Sequence, residues 1–137
     1  MIICINEEYK EAAEFYAKKL GLPDEAIIAI GLYPDLPVSG YCEYHEEEII
    51  PYCMIGLEME PDEDEEHPLS ILAHEMVHAR QYISGDLTDH GKHCSWKGTK
   101  YEAYEASSEE YFFSPWEVEA YGMQVGLYRM YCRSVEE

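Results

Sequence analysis

Two histidines four residues apart, with a glutamate directly after the first, stand in the stretch His74-Glu75-Met76-Val77-His78. On a helix, residues at that spacing project from one face about one turn apart. Two imidazoles so placed can occupy two corners of a tetrahedral Zn2+ site. Glu75, one position on, reaches toward the open side of such a site. There it can act as general base on a water whose pKa the metal lowers from about 15.7 to roughly 7. The pattern needs a helix beneath it, and the flanking residues supply one on independent grounds. Pro68 suits a first turn and Gly85 the position just past the end. Neither Pro nor Gly interrupts the residues between, and Leu69, Leu72, Ala73, Met76 and Ile83 can cover a core-facing side.

A catalytic zinc takes three protein ligands and keeps a fourth position open. The extended pattern H-E-x-x-H-x-x-G-x-x-H does not supply the third, because Gln81 and Ser84 stand where its Gly and His would fall. A carboxylate on a later helix is the usual alternative. Ser114 as N-cap, Pro115 at the first position and acids in the first turn predict a final helix running to about Cys132. That helix offers Glu117 and Glu119, about 200° apart around its axis, so only one of them can face the metal. Ala120, one turn beyond Glu117, would let the helix approach closely and favours Glu117. Acids in a first turn also complement the helix dipole whatever their function, and that applies to both.

His74-Glu75-x-x-His78 followed by Glu117-x-x-Ala120 resembles the Glu-type zincins, whose third ligand is the Glu of an E-x-x-A helix. More narrowly, the chain is similar to small metallopeptidases common in phages and prophages. The likeness rests on His74 to Gln81, on Trp96-Lys97-Gly98 with Tyr101, and on Pro115-Trp116-Glu117 with Glu119-Ala120. It spans roughly the C-terminal half. The resemblance implies a zincin-like domain in which His74, His78 and Glu117 hold Zn2+ and Glu75 is catalytic. Asp or Asn often follows the Ala in that group, whereas this chain has Tyr121, which leaves open what supports the ligands from behind. For an oxyanion-stabilising hydroxyl, Tyr82, Tyr101, Tyr104 and Tyr121 are all available. Arg80 and Gln81 follow the second His and are placed to brace the site or line the cleft.

Composition narrows the setting. The 137 residues suit one domain, 1–137, with enough apolar content (47%) to bury a core. No apolar run approaches the ~20 residues of a membrane span. The N-terminus turns acidic at once and does not read as a signal peptide, and five cysteines without paired spacing suit reduced thiols. A cytoplasmic location is the expectation. A net charge of −20 repels nucleic acid and anionic membranes and attracts cations or basic partners. Its plainest cause is solubility or adaptation to salt.

Elsewhere the pattern predicts a strand over 2–5, a helix over 7–20 capped by Asn6 and ended by Gly21, and a strand over 26–30. A loop follows over 31–40, then strands over 41–45 and 49–57 around the acidic turn Glu46-Glu47-Glu48. Pro51 places the start of the second at an edge or a bulge. The acidic run from Glu58 to Glu66 reads as a solvated loop, since it lacks the Gly and spacing of an EF-hand. His90, His93 and Cys94 read as a polar loop beside the site, and 96–101 as a strand or tight hairpin.

The expectation is thus an α+β, minimal zincin-like domain. In it a small, mostly antiparallel sheet packs on the HExxH helix, and the C-terminal helix lies on that helix's other side. The family likeness adds an edge strand within 49–57 that would hold an extended peptide by strand addition. The substrate is a peptide or protein, for which basic character would suit the charge. Two rival readings accompany it. One is a catalytically inactive zinc-binding module gripping a basic partner. The other is an acidic DNA mimic, which would have no need of Glu75.

Overall fold

Helix α2 (Pro68–Ser84) runs through the middle of the molecule and is buried almost all round, as only a helix enclosed by other elements can be. The computed structural model describes residues 1–46, 49–59, 67–102 and 108–136. α2 starts and stops where the sequence places it. Pro68 opens it, His67 Nδ1 accepts from the Leu69 N–H, and Gly85 ends it in the left-handed conformation at φ 83°. A sheet covers one side of it, and two further helices flank the other.

On that first side lies a four-stranded sheet in the order β1 (Ile2–Ile3), β2 (Ile27–Tyr33), β4 (Tyr52–Glu58), β3 (Gly40–His45). Helix α1 (Glu7–Leu20) carries the chain from β1 to the parallel β2. β2 and β4 also pair in parallel, and only β3 runs antiparallel to its neighbour. The sheet on α2 is therefore mixed rather than mostly antiparallel. The α1 crossover imposes a parallel first pair, a connection that alternation within single strands does not reveal. The expected edge strand within 49–57 is also corrected. β4 pairs on both sides and lies inside the sheet, while β3 forms the edge. Ile28, Ile30, Cys53, Ile55 and Leu57 point from β2 and β4 into the core, as strands paired on both sides would predict.

Several boundaries shift for reasons of burial. β1 stops at Ile3, and Ile5 is 99% exposed. β2 continues to Tyr33 through residues assigned to a loop, because β4 offers a partner as far as Glu58. β4 begins just after Pro51, whose carbonyl still accepts from the Ile27 N–H.

α1 packs on α2 through Ala12, Ala13 and Tyr16, and the Tyr16 hydroxyl donates to the Leu69 carbonyl at 2.9 Å. Tyr131 of the last helix, α4 (Pro115–Glu136), completes an edge-to-face cluster with Phe15 and Tyr16. Between α2 and α4 the chain forms a small antiparallel sheet of β5 (Leu87–Asp89), β6 (His93–Trp96) and β7 (Thr99–Glu102). β6 and β7 form the tight hairpin expected of 96–101, turned by Lys97 and Gly98 at φ 49° and 86°. A short helix α3 (Glu109–Phe113), not foreseen in the sequence, precedes α4. Ser114 joins the two: its carbonyl accepts from the Glu117 and Val118 N–H groups, and its hydroxyl donates back to the Tyr111 carbonyl. α4 runs past Cys132 to Glu136.

Candidate metal centre

The buried face of α4 is Glu117, Ala120, Gln124, Leu127 and Tyr131. This is one stripe at helical spacing, and two of its members are polar. Both polar members meet the histidines of α2. Glu117 is 3% exposed, with Oε1 at 3.1 Å from His74 Nε2 and Oε2 at 3.0 Å from His78 Nε2. The two Nε2 atoms lie 3.2 Å apart. Among the described residues, His74, His78 and Glu117 are the group whose ligand atoms converge, all within 4.8 Å, so this buried cluster could hold a metal ion. Glu119 does not reach it. Its carboxylate lies 3.3 Å from the Arg80 guanidinium and accepts from Gln81 Nε2 at 3.2 Å.

The second ring nitrogens are held from behind. His74 Nδ1 lies 3.0 Å from Gln124 Oε1, and Gln124 Nε2 donates to Ser70 Oγ. His78 Nδ1 lies 2.7 Å from Gln81 Oε1, and Gln81 Nε2 donates to the Trp116 carbonyl at 2.9 Å. Gln124 stands two turns beyond Glu117, so it takes the supporting place that Tyr121, following Ala120, leaves unfilled. The Tyr121 ring instead tilts over His74, with centroids 4.4 Å apart.

A neutral imidazole has one donor and one acceptor nitrogen. If both Nδ1 atoms donate to the amide oxygens, both Nε2 atoms are left presenting lone pairs to each other and to a carboxylate. Three acceptors in contact, with nothing donating among them, need a cation at their centre. Two imidazole nitrogens and a carboxylate are the donor set of a zinc site with an open position, so the residues present fit the ion the sequence implies.

A proton is the other cation that can serve. The histidines hold the Glu117 carboxyl down to about 2 against the opposing effect of burial. Burial works against a charged His78, yet Glu117, Glu75 and Gln81 outweigh it and leave that ring raised above its ordinary 6.5. Glu75 is 6% exposed, and burial raises its carboxyl although both histidines oppose the shift. Its charge in turn helps to raise the Cys42 thiol on β3 and the Tyr111 hydroxyl on α3.

The tyrosines sort clearly. Tyr82 stacks on Tyr44, and Tyr101 packs edge-on against Trp116. Tyr104 lies outside the described residues, as do Glu47, Glu48 and 60–66 of the acidic segments. Tyr111, which the sequence does not single out, is raised by burial and by the nearby Glu117 carboxylate. His90 and His93 stack on each other, with His90 Nε2 on Ser95 Oγ, and do not join a metal-binding group among the described residues.

No family model matches the chain, and no curated protein or solved structure matches it either. No helix among the described residues is long and apolar enough to cross a membrane.

Proposed function

We propose that the protein is a zinc-dependent peptidase in which His74, His78 and Glu117 hold the ion and Glu75 is the general base. The observation that carries this reading is the convergence of three acceptor groups with a fourth, buried carboxylate beside them. Zinc held by three ligands leaves a position for water and polarises a carbonyl, which are the two demands of amide hydrolysis. Glu75 accepts the proton of the attacking water and returns it to the leaving amine. A buried carboxylate whose proton affinity is raised suits that double duty better than an exposed one.

The Tyr111 hydroxyl is raised by burial and by both carboxylates, and that nearness supports its donating to the developing oxyanion. In zinc-loaded Tyr111→Phe, kcat/KM is expected to fall by roughly 10²–10³-fold with zinc content unchanged. An unchanged rate in that variant would remove Tyr111 from the machinery.

Substrate would lie along β3, whose outer backbone groups have no strand partner among the described residues. A cavity of about 580 Å³ opens beside that edge, with Glu43, Tyr44, His45 and Glu46 on one side and Tyr82 and Asp89 on the other. Carboxylates on both walls suit a peptide with basic side chains. A mixed-sequence peptide library incubated with zinc-loaded protein tests the reading. Cleavage near Lys or Arg, abolished by a chelator and restored by zinc, is the expected result. Full zinc occupancy with no cleavage of any peptide would favour a binding module instead.

A further inference from the structure

Each histidine of the site is backed by a glutamine, but the two glutamines are not equivalent. Gln81 Nε2 points at the Trp116 carbonyl, which can only accept. That fixes the amide, puts Oε1 against His78 and makes His78 Nδ1 the donor. The polarity runs in one direction from the backbone of α4, one residue before Glu117, through Gln81 to the His78 ring. Glu119 adds a second acceptor for the same amide group and is itself held by Arg80. Gln124 Nε2 donates to the Ser70 hydroxyl, a group that can itself rotate to donate or accept.

We propose that Gln81 and Gln124 are positioning residues that hold His74 and His78 as Nδ1–H tautomers with Nε2 facing the ion, and that the direction at His78 is dictated by the Trp116 carbonyl. The inference rests on the metal-site reading above and extends it to residues that touch no ion. An amide and a carboxylate are nearly the same shape, so exchanging them changes polarity and charge with little change in volume. At Gln81 a carboxylate accepts from His78 but sets its second oxygen against the Trp116 carbonyl and the Glu119 carboxylate. That exchange is therefore not tolerated.

The experiment has two parts. In wild-type protein freed of metal, at a pH where both rings are neutral, ring-nitrogen NMR is expected to show protonated Nδ1 and bare Nε2 at both histidines. That is opposite to the tautomer a free histidine side chain prefers in water. Competition with a chromophoric chelator then gives zinc affinities. Gln81→Met and Gln81→Glu are each expected to bind roughly 10–100-fold more weakly than wild type, and Gln124→Met is expected to lose affinity as well. Nε2–H rings in the metal-free protein, or wild-type affinity in both Gln81→Met and Gln81→Glu, would overturn the proposal. A wild type with the expected tautomers that binds no zinc would leave the glutamine roles standing and sink the metal reading instead.

Discussion

Protein purified without added metal is expected to carry close to one zinc, which Glu117→Ala loses and Glu119→Ala keeps. The two glutamates lie two residues apart on one helix, and the structure gives them unrelated partners. Glu117 sits between both Nε2 atoms, whereas Glu119 is engaged by Arg80 and Gln81. Zinc sites in small domains bind with apparent free energies on the order of 10 kcal/mol. Removing one of three ligands is expected to cost about 3 kcal/mol, or roughly 10²-fold in affinity. Glu119→Ala leaves all three ligands and disturbs only a half-buried ion pair, a type of contact worth about 1 kcal/mol or less. Metal analysis after gel filtration decides the matter. Loss of the ion from Glu119→Ala, or retention by Glu117→Ala, would mean that the ligand set is wrong.

Zinc binding is also expected to depend on pH in a way that the metal-free site dictates. His78 is raised above 6.5 in the folded chain, so its stabilising proton is fully present below that value and lost as pH rises through the raised one. Glu117 is lowered from 4.5 to about 2, so its contribution is present above 4.5 and lost as pH falls toward 2. As far as these two groups decide, the metal-free protein is most stable between those limits. At pH 8 less of the His78 proton remains than at lower pH, and the site has less of a cation of its own. Zinc at 1,000 times its Kd adds about 4 kcal/mol, which for a chain of this length raises Tm by roughly 10–15 °C. Near pH 5.5 the bridging proton competes with the ion and the gain shrinks. Melts with and without zinc at the two pH values test this, and equal gains at both would rule out the proton as the ion's competitor.

Much of this arrangement is legible in the chain. α1 and α2 announce themselves by Asn6, Gly21, Pro68 and Gly85, because caps are local chemistry and need no partner to be recognised. His74 and His78 are fixed by their spacing on α2. Choosing Glu117 over Glu119 requires knowing which face of α4 meets α2, and Ala120 is the residue that hints at it. Gln124 carries a readable signal as well: it lies seven residues beyond Glu117, on the stripe that Leu127 and Tyr131 continue. A polar residue on an otherwise buried face calls for a partner. Tyr111 carries no such signal, since its place depends on the turn at Ser114 that folds α3 back over the site. Sheet order is equally hidden. β2, β3 and β4 are each evident as strands, but that β3 rather than β4 takes the edge is decided by which neighbours they find.

Glu75→Gln separates the peptidase reading from that of a catalytically inactive zinc-binding module. The substitution keeps size and shape and removes the base, so peptide hydrolysis is expected to fall by roughly 10²–10⁴-fold while zinc stays bound. Its effect on stability should run the opposite way. The Glu75 carboxyl is raised by burial, so the ionised form is harder to accommodate in the folded chain than in the unfolded one. A neutral amide avoids that penalty, and Tm is expected to be unchanged or higher above the carboxyl's titration range. Lost activity with retained metal and an undiminished melt cannot arise from misfolding. The same variant examines the binding-module alternative, in which Glu75 plays no part. A partner held by the acidic surface would be bound equally well by both proteins. If Glu75→Gln hydrolyses peptides as fast as wild type, Glu75 is not the base. The buried carboxylate beside the histidines would then have to be explained by its neighbours Cys42 and Tyr111 rather than by catalysis.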